Sequence, residues 1–435
     1  MSVVGSTPHS FRAPLFVFVA ASMMSAACMS SETLSNTPAE TESAGAAQPS
    51  TSPADSTLGQ VVQFLVLHAP KKQVDPKTGA ANPKIGRTPG SACEVVRFLA
   101  KALQHNPSNS AAADKMRRLA DWVRSLQSMD RSRPRYGGVP STPDLPRPAN
   151  TYYYAIDAAF CSDAMFRLHE LTGEDRYLKS AIAFAEFLLS MHAGPEKQRS
   201  GTANGFCEYV VDDGIKAAWN CRRYVKLLIA LAPLAKAGKL TKQRRYDDAA
   251  HSARSFLVPG LSGAWEYAEV GGQAGCSGRT CAPAWRRVQG PQKQPDMFVY
   301  GDTLAYALRG LLEHEGLSSD VRTLYDQFAG FTGKGPKSRA YDGRIAFAGY
   351  MQPGTRSPDE FSAYYDLVTL GLLHELRRTY RKEHFDVANA VLAKISSSPS
   401  QLSWKMTFDL VVPPDDYVDL TTLANLGEAL LLARQ

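Results

Sequence analysis

Segments with helical hydrophobic periodicity recur along this 435-residue chain, and the connections between them alternate between short and long. Twelve such segments occur, and links of a few residues join ten of them into five pairs, leaving the first and the last unpaired. Long links separate the pairs at 69–89, 129–151, 192–213, 258–299, 332–361 and 397–415. In an up-and-down helical ring, this alternation places every long link on one face. We therefore predict an all-α fold in which six helical hairpins close into a ring, with the first and last helices meeting to seal it.

The pattern is clearest between residues 150 and 192. Apolar stripes run from Ile156 to Leu171 and from Tyr177 to Met191, and Gly173 marks the turn between them. The other predicted helices are 58–67, 92–104, 111–126, 215–234, 242–257, 300–313, 319–331, 364–378, 383–395 and 417–432. These helices and links define the six hairpins, and the hairpin at 150–192 is the second of them.

The first 57 residues are predicted to lie outside the ring. Arg12 precedes an apolar run that is too short to span a membrane, and the run ends in Ser25-Ala26-Ala27-Cys28. This segment resembles a bacterial lipoprotein signal, although Ser25 stands where that family usually has Leu. The resemblance implies cleavage after residue 27, lipidation of Cys28 and a location in the bacterial cell envelope. Residues 28–57 are rich in Ser, Thr, Ala and Pro and are predicted to be a disordered tether, and 58–435 a single domain.

Charge and cysteine content fit an exported domain. Without Arg12 and the four acids of 29–57, 48 basic and 38 acidic side chains remain. The excess of positive charge suits an anionic polymer or envelope surface, or serves solubility alone, and no basic block of the kind found in nucleic-acid-binding tails occurs. Six cysteines remain besides Cys28 and allow three disulfides, of which Cys276–Cys281 would close a small Gly-rich loop.

The long links share extended pieces that contain glycine and aromatic residues, and short strands are predicted there. Examples are PRYGGVP, GFCEYVVDD, GAWEYAEVGG and RIAFAGYMQPG. Together with hairpins that begin on Tyr and Asp, this pattern resembles the (α/α)6 toroids of six-hairpin glycosidases and of toroidal polysaccharide lyases. The resemblance covers about 58–435 and implies that a glycan binds in the bowl formed by the inner helices and the long links.

Tyrosine and aspartate recur where helices follow long links. Aromatic rings suit the apolar faces of sugars, and glycosidic cleavage needs one protonated and one ionised carboxyl. We predict Asp157, Asp302 and Asp366 as catalytic acids or bases. The predicted substrate-binding residues are Tyr152, Tyr153, Trp219, Arg222, Tyr300 and Tyr365.

Other interpretations remain open for these residues. Aspartate is favoured at helix N-termini regardless of function, and Asp212, Asp213, Asp415 and Asp416 fit capping. An elimination mechanism would instead use a tyrosine to move the proton and Arg222 to neutralise a sugar carboxylate. A non-catalytic lipoprotein that binds a glycan or an envelope partner is the alternative function. No HExxH, GxSxG or GxxxxGK[ST] motif occurs, and we expect no metal or other cofactor.

Overall fold

The structure of the chain is a computed structural model. The structure describes residues 53–75, 79–82, 86–192, 205–221, 225–261, 264–269, 283–289, 298–299, 301–329, 339–341, 344–346 and 418–433. All of them belong to one compact unit, 51–435. The predicted signal segment, residues 28–52 of the predicted tether, and helices 364–378 and 383–395 lie outside the described residues. Residues 53–57 were assigned to the tether but are helical, so the first helix begins earlier than predicted.

Ten α-helices occur within the described residues. They are α1 (Pro53–His68), α2 (Pro89–His105), α3 (Ser110–Leu126), α4 (Ala155–Thr172), α5 (Asp175–Met191), α6 (Leu231–Thr241), α7 (Arg244–Leu261), α8 (Gly301–Glu315), α9 (Ser319–Ala329) and α10 (Leu420–Ala433). A 3-10 helix, Val225–Ala230, leads directly into α6. In the described ranges no helix is both long and apolar enough to cross a membrane.

The helices form two layers. The inner layer follows the order α10, α2, α4, the 3-10 helix with α6, and α8, each packing against its neighbour. Helices α1, α3, α5, α7 and α9 each pack outside an inner partner. Burial explains the division, because α2 is buried on nearly all sides whereas α3 buries only one stripe, which includes Met116, Leu119 and Val123.

The first and last helices meet, as the sequence predicted. Helix α1 packs against α10, and strand β1 (Gln73–Val74) pairs antiparallel with β10 (Val418–Asp419). The amide of Leu420 donates to the carbonyl of Lys72 at 2.9 Å. The hairpin of α4 and α5 is also confirmed, since Gly173 ends α4 in the left-handed conformation at φ 72°.

Short strands occupy the long links. They are β2 (Tyr152–Tyr154), β3 (Tyr209–Asp212), β4 (Ala217–Asn220), β5 (Ala264–Glu269), β6 (Pro283–Gln289), β7 (Phe298–Val299), β8 (Arg339–Tyr341) and β9 (Arg344–Ala346). Strands β2, β3 and β4 form one antiparallel sheet, and β5, β6 and β7 form another. Within the described residues, β3, β5 and β9 confirm the strands expected in GFCEYVVDD, GAWEYAEVGG and RIAFAGYMQPG, whereas PRYGGVP forms no strand.

The predicted helix 215–234 is wrong over its first half. Residues 217–220 are strand β4, and helical structure begins only at Val225. The cause is a hairpin turn at Asp212-Asp213-Gly214, in which Gly214 adopts φ 91°. A disulfide between Cys207 and Cys221 joins the two ends of this hairpin.

Deep in the inner layer, ion pairs connect the helices. Arg97 of α2 is 1% exposed and contacts Asp163 of α4 at 3.0 Å, Glu313 of α8 at 2.8 Å and Glu428 of α10 at 2.6 Å. One guanidinium therefore joins four inner helices. A buried charge is tolerated only where such partners surround it.

Candidate functional site

The N-termini of the inner helices gather at the face that carries the long links. Strand β2 runs directly into α4, and β10 runs directly into α10. The backbone of β7 likewise ends two residues before α8 begins. The last residues of each of these links therefore lie at this face, which we call the mouth of the ring. The positive ends of the helix dipoles there favour negative charge.

Asp157 lies in the first turn of α4 at this mouth. Its carboxyl is packed against Gly90 in the first turn of α2, since a Cβ placed on Gly90 would lie 2.2 Å from Asp157 Oδ1. Desolvation by burial raises the pKa of Asp157 to about 6, against the opposing effects of Lys72, a hydrogen bond from the Ser141 hydroxyl, and Lys226. Asp157 can therefore hold or release a proton near neutral pH.

An aromatic face lies beside Asp157. Tyr152 and Tyr154 alternate with Tyr153 along β2, so their rings share one side of the sheet, and they stack with centroids 6.3 Å apart. Tyr209 of β3 packs 5.4 Å from Tyr152 and 5.1 Å from Tyr154. Burial raises the pKa of Tyr154, and the nearby charges of Glu208 and Asp157 raise it further. We call the rings of Tyr152, Tyr154 and Tyr209 the tyrosine face.

Tyr153 and Trp219 lie on the other side of this sheet. Tyr153 is only 7% exposed, and the guanidinium of Arg135 lies 5.9 Å from its ring centroid. It has no open ring face for a sugar, and its environment is that of a core residue. Trp219 stands on strand β4 rather than at a helix start and is 39% exposed.

The aspartates of the β3–β4 turn stabilise the link and do not cap a helix as expected. Asp212 is fully buried, pairs with Arg133, and lies 3.9 Å from Arg135. Burial alone would raise the pKa of Asp212, but the hydrogen bonds from Arg133 and Gly214 lower it. Asp213 accepts hydrogen bonds from the backbone amides of Ile215 and Lys216. Both carboxyls are therefore occupied by structural contacts.

Capping does explain another aspartate, Asp419. Asp419 Oδ1 accepts a hydrogen bond from the amide of Thr421 at 2.9 Å, at the start of α10. It lies on β10, and its backbone pairs with Gln73 of β1. The same residue thus caps the helix with its side chain and takes part in the closure of the ring with its backbone.

One helical turn further from the mouth than Asp157, aromatic side chains line the inner helices. Phe160 of α4 and Tyr306 of α8 pack with ring centroids 5.1 Å apart. The ammonium of Lys226 lies 4.6 Å from the centroid of the Tyr306 ring. Lys226 therefore interacts both with the Tyr306 ring and with the carboxyl of Asp157.

The remaining predicted residues are only partly covered by the structure. Asp302 is the second residue of α8, but its side chain lies outside the described part of the chain. Wholly outside the described residues are Cys28, Arg222, Cys276, Cys281, Tyr300, Tyr365, Asp366, Asp415 and Asp416. Among the described cysteines, Cys93 pairs with Cys161 and Cys207 pairs with Cys221. Within the described ranges, no group of three His, Cys, Asp or Glu side chains could hold a metal ion.

Sequence reasoning missed several neighbours of Asp157. Tyr154 could have been found from period-two alternation, had 152–154 been interpreted as a strand. Tyr209 shares the same face because β3 pairs with β2. Lys72 and Gly90 come from distant links and helices, and no local pattern indicates their approach to Asp157.

Neither a protein-family model nor a curated protein sequence matches the chain. Solved structures do match it. An unsaturated glucuronyl hydrolase specific for heparin has a TM-score of 0.56 at 13% identity, covering 88% of this chain and 95% of its own. A family 76 glycoside hydrolase (mannosidase) from Bacteroides thetaiotaomicron has a TM-score of 0.50 at 13% identity, covering 88% and 97%. Cellobiose 2-epimerase from Bacillus thermoamylovorans has a TM-score of 0.50 at 8% identity, covering 78% and 87%.

Identities this low establish the fold and leave the activity open. The matched proteins are six-hairpin toroids, and the matches extend over most of the chain. The ring predicted from alternating link lengths is therefore confirmed, and the chain has an (α/α)6 toroid fold.

Proposed function

We propose that this protein is a carbohydrate-active enzyme that cleaves a glycan in the bowl of the toroid. The observation that carries the proposal is Asp157, a carboxyl with a pKa of about 6 at the mouth of the inner ring, beside the tyrosine face. The matched structures include a glucuronyl hydrolase, a mannosidase and a cellobiose epimerase, all of which act on sugars. Fold and site chemistry thus favour the same class of substrate.

Asp157 suits the role of proton donor. A carboxyl that remains protonated up to about pH 6 can protonate the departing glycosidic oxygen. The second carboxyl that hydrolysis requires would come from Asp302, the second residue of inner helix α8, or from Asp366. Tyr152 would stack on a sugar ring, and Trp219, Arg222, Tyr300 and Tyr365 remain candidates for further contacts in the bowl.

Two ammonium groups near Asp157 favour an acidic sugar. Lys72 and Lys226 each act on the charge of Asp157, from the first link and from the 3-10 helix. A carboxylate or sulfate on the substrate would meet both cations at the mouth. The same cations would stabilise the enolate of an elimination, so the proposal covers both a hydrolase and a lyase.

A panel of neutral and acidic polysaccharides and oligosaccharides tests the proposal. New reducing ends without ultraviolet absorbance indicate hydrolysis, and absorbing unsaturated products indicate elimination. Replacing Asp157 with Asn should lower kcat/KM by about 10²- to 10⁴-fold on any active substrate, because the proton donor is lost. The exposed Asp130 of the second long link provides the control, and Asp130→Asn should retain full activity.

Two outcomes would count against the proposal. Full activity of the Asp157→Asn chain would remove Asp157 from the reaction. Saturable glycan binding without turnover by the unaltered chain would favour the non-catalytic lipoprotein instead.

We also propose that the protein is exported and anchored to the cell envelope by a lipid on Cys28. The Cys93–Cys161 and Cys207–Cys221 disulfides support export, because disulfides persist mainly in oxidising compartments. Cell fractionation tests the anchor. The unaltered chain should sediment with membranes and the Cys28→Ser chain should not, and equal distribution of the two chains would contradict lipidation.

A further inference from the structure

Helices α2 and α4 make three successive contacts, one below the other. At the mouth, Gly90 meets Asp157. One turn deeper, Cys93 and Cys161 form a disulfide with Cα atoms 4.9 Å apart. One turn further along α2, Arg97 Nε lies 3.0 Å from Oδ2 of Asp163, which is two residues after Cys161. On α2 the spacings of three and four residues place Gly90, Cys93 and Arg97 on one face, and on α4 the spacing of four residues places Asp157 and Cys161 on one face.

The first contact depends on glycine. A Cβ on residue 90 would lie 2.2 Å from Oδ1 and 2.9 Å from Cγ of Asp157. Both distances are shorter than non-bonded atoms allow, so a methyl group and the present carboxyl cannot coexist. The atoms that would move are the end of the Asp157 side chain, since those are the atoms nearest to the added Cβ.

The second contact fixes the helix separation. Cys93 is three residues after Gly90, Cys161 is four residues after Asp157, and both cysteines are fully buried. A covalent bond one turn from the carboxyl prevents α2 and α4 from moving apart at the mouth. The carboxyl is therefore held against the backbone of α2.

We infer that Gly90 is a positioning residue for Asp157, with the Cys93–Cys161 disulfide holding the two helices at the separation that presses the carboxyl against α2. The role of this contact in catalysis rests on the proposed function, but its effect on the titration of Asp157 can be measured without substrate. Lys72, Lys226, Tyr154 and the Ser141 hydroxyl face the same carboxyl from the first link, the 3-10 helix, β2 and the second link. On α2 itself, the next acid, Glu94, is paired with Arg309 at 3.4 Å.

Gly90→Ala in the full chain is the test. The added methyl group should turn the carboxyl away from α2 toward solvent, so the desolvation that raises its pKa is reduced. Carboxyl ¹³C NMR of aspartate-labelled protein follows the titration, with the Asp157 signal assigned from the Asp157→Asn chain. The midpoint should fall from about 6 by at least roughly one pH unit, toward the ordinary value of about 4. Where turnover is detected, the corresponding limb of its pH profile should move in the same direction.

Gly59→Ala is the matched control, because Gly59 also lies within a helix and nothing lies within 4 Å of its added Cβ. Its Asp157 midpoint should equal that of the unaltered chain. An unchanged or raised midpoint in Gly90→Ala, or an equal shift in Gly59→Ala, would overturn the inference. If no glycan is turned over but the midpoint moves as expected, the proposed function fails while the positioning role stands.

A second variant covers the case in which Gly90→Ala folds poorly. Replacing Asp157 with Ala removes the carboxyl that the new methyl group would contact, so Gly90→Ala/Asp157→Ala should fold and melt like Asp157→Ala alone. If the double variant is still less stable than Asp157→Ala alone, the added methyl group clashes with another residue, and the contact with Asp157 is refuted. Reduced stability without any change in the Asp157 titration would indicate a merely structural glycine.

Discussion

Asp157 is a carboxyl that the fold keeps protonated to unusually high pH, and this property has a consequence for stability. Its pKa is about 6 in the folded protein and 3.8 for the ordinary group. Between these values the folded state holds a proton that the unfolded state has lost, so the free energy of unfolding falls as pH rises from about 4 to about 6. Above that range the cost of the buried charge is constant.

Asp157→Asn should therefore remove a pH-dependent penalty. The stability difference between Asp157→Asn and the unaltered chain should shift in favour of the variant by roughly 2 kcal/mol between pH 4 and pH 7, allowing for partial exposure of the side chain. Chemical denaturation at several pH values measures this difference. Asp130→Asn should show the opposite sign, because hydrogen bonds from Ser132 lower the pKa of Asp130. A difference for Asp157→Asn that does not vary with pH would contradict the raised pKa.

Single residues could be predicted from sequence only where a local pattern located them. Asp157 was identifiable because it follows a long link and an aromatic triplet at a helix start. The approach of Gly90 and Lys72 was not identifiable, because it depends on how closely α2 and the first link lie to α4. The burial of Tyr153 was not identifiable either, because it depends on the alternation of side chains along a strand that was not predicted at 152–154.

At the scale of elements, the sheet of β2, β3 and β4 determines which rings reach the bowl. Tyr152 belongs to the tyrosine face, which is partly exposed beside the mouth. Tyr152→Ala should raise KM for a cleaved glycan roughly 2- to 10-fold with a smaller effect on kcat, because a stacking surface worth about 0.5–1.5 kcal/mol is lost. Tyr152→Phe keeps the ring and should bind normally. Equal KM values for both variants would exclude stacking on this ring.

The error at residues 215–234 shows why elements are harder to predict than the ring. Ala217, Ala218 and Trp219 are compatible with a helix, but the turn at Gly214, pairing with β3 and the Cys207–Cys221 disulfide make this segment a strand. These influences act across the chain. The lengths of the links, in contrast, do not depend on such local changes. The number of hairpins could therefore be predicted, whereas the secondary structure within the links could not.

For the whole molecule, the connection between inner helices depends on buried charge. Arg97 contacts carboxylates of α4, α8 and α10, and Glu428 also receives Lys101 at 3.1 Å. Burial would raise the pKa of Glu428, but Arg97 and Lys101 lower it to about 2. This stabilising contribution is therefore present above the ordinary pKa of about 4.5 and is lost as pH falls toward 2.

Arg97→Met should cost about 3–5 kcal/mol in the free energy of unfolding at pH 7, because it leaves buried carboxylates without their main cation. Arg117→Met is the matched control, since Arg117 is 45% exposed and contacts Glu174 at 3.4 Å, and it should cost less than about 1 kcal/mol. Denaturant unfolding measures both variants. The sign of the pH dependence provides a second check, because carboxylates that have lost Arg97 gain stability by protonation. The Arg97→Met chain should therefore become more stable as the pH falls from 7 to 5. In the unaltered chain Glu428 stays ionised over this range, so its contribution to stability does not change. Equal losses for the two variants, or no recovery at lower pH, would mean that the inner helices are held by apolar packing and that the buried ion pairs contribute little to the closed ring.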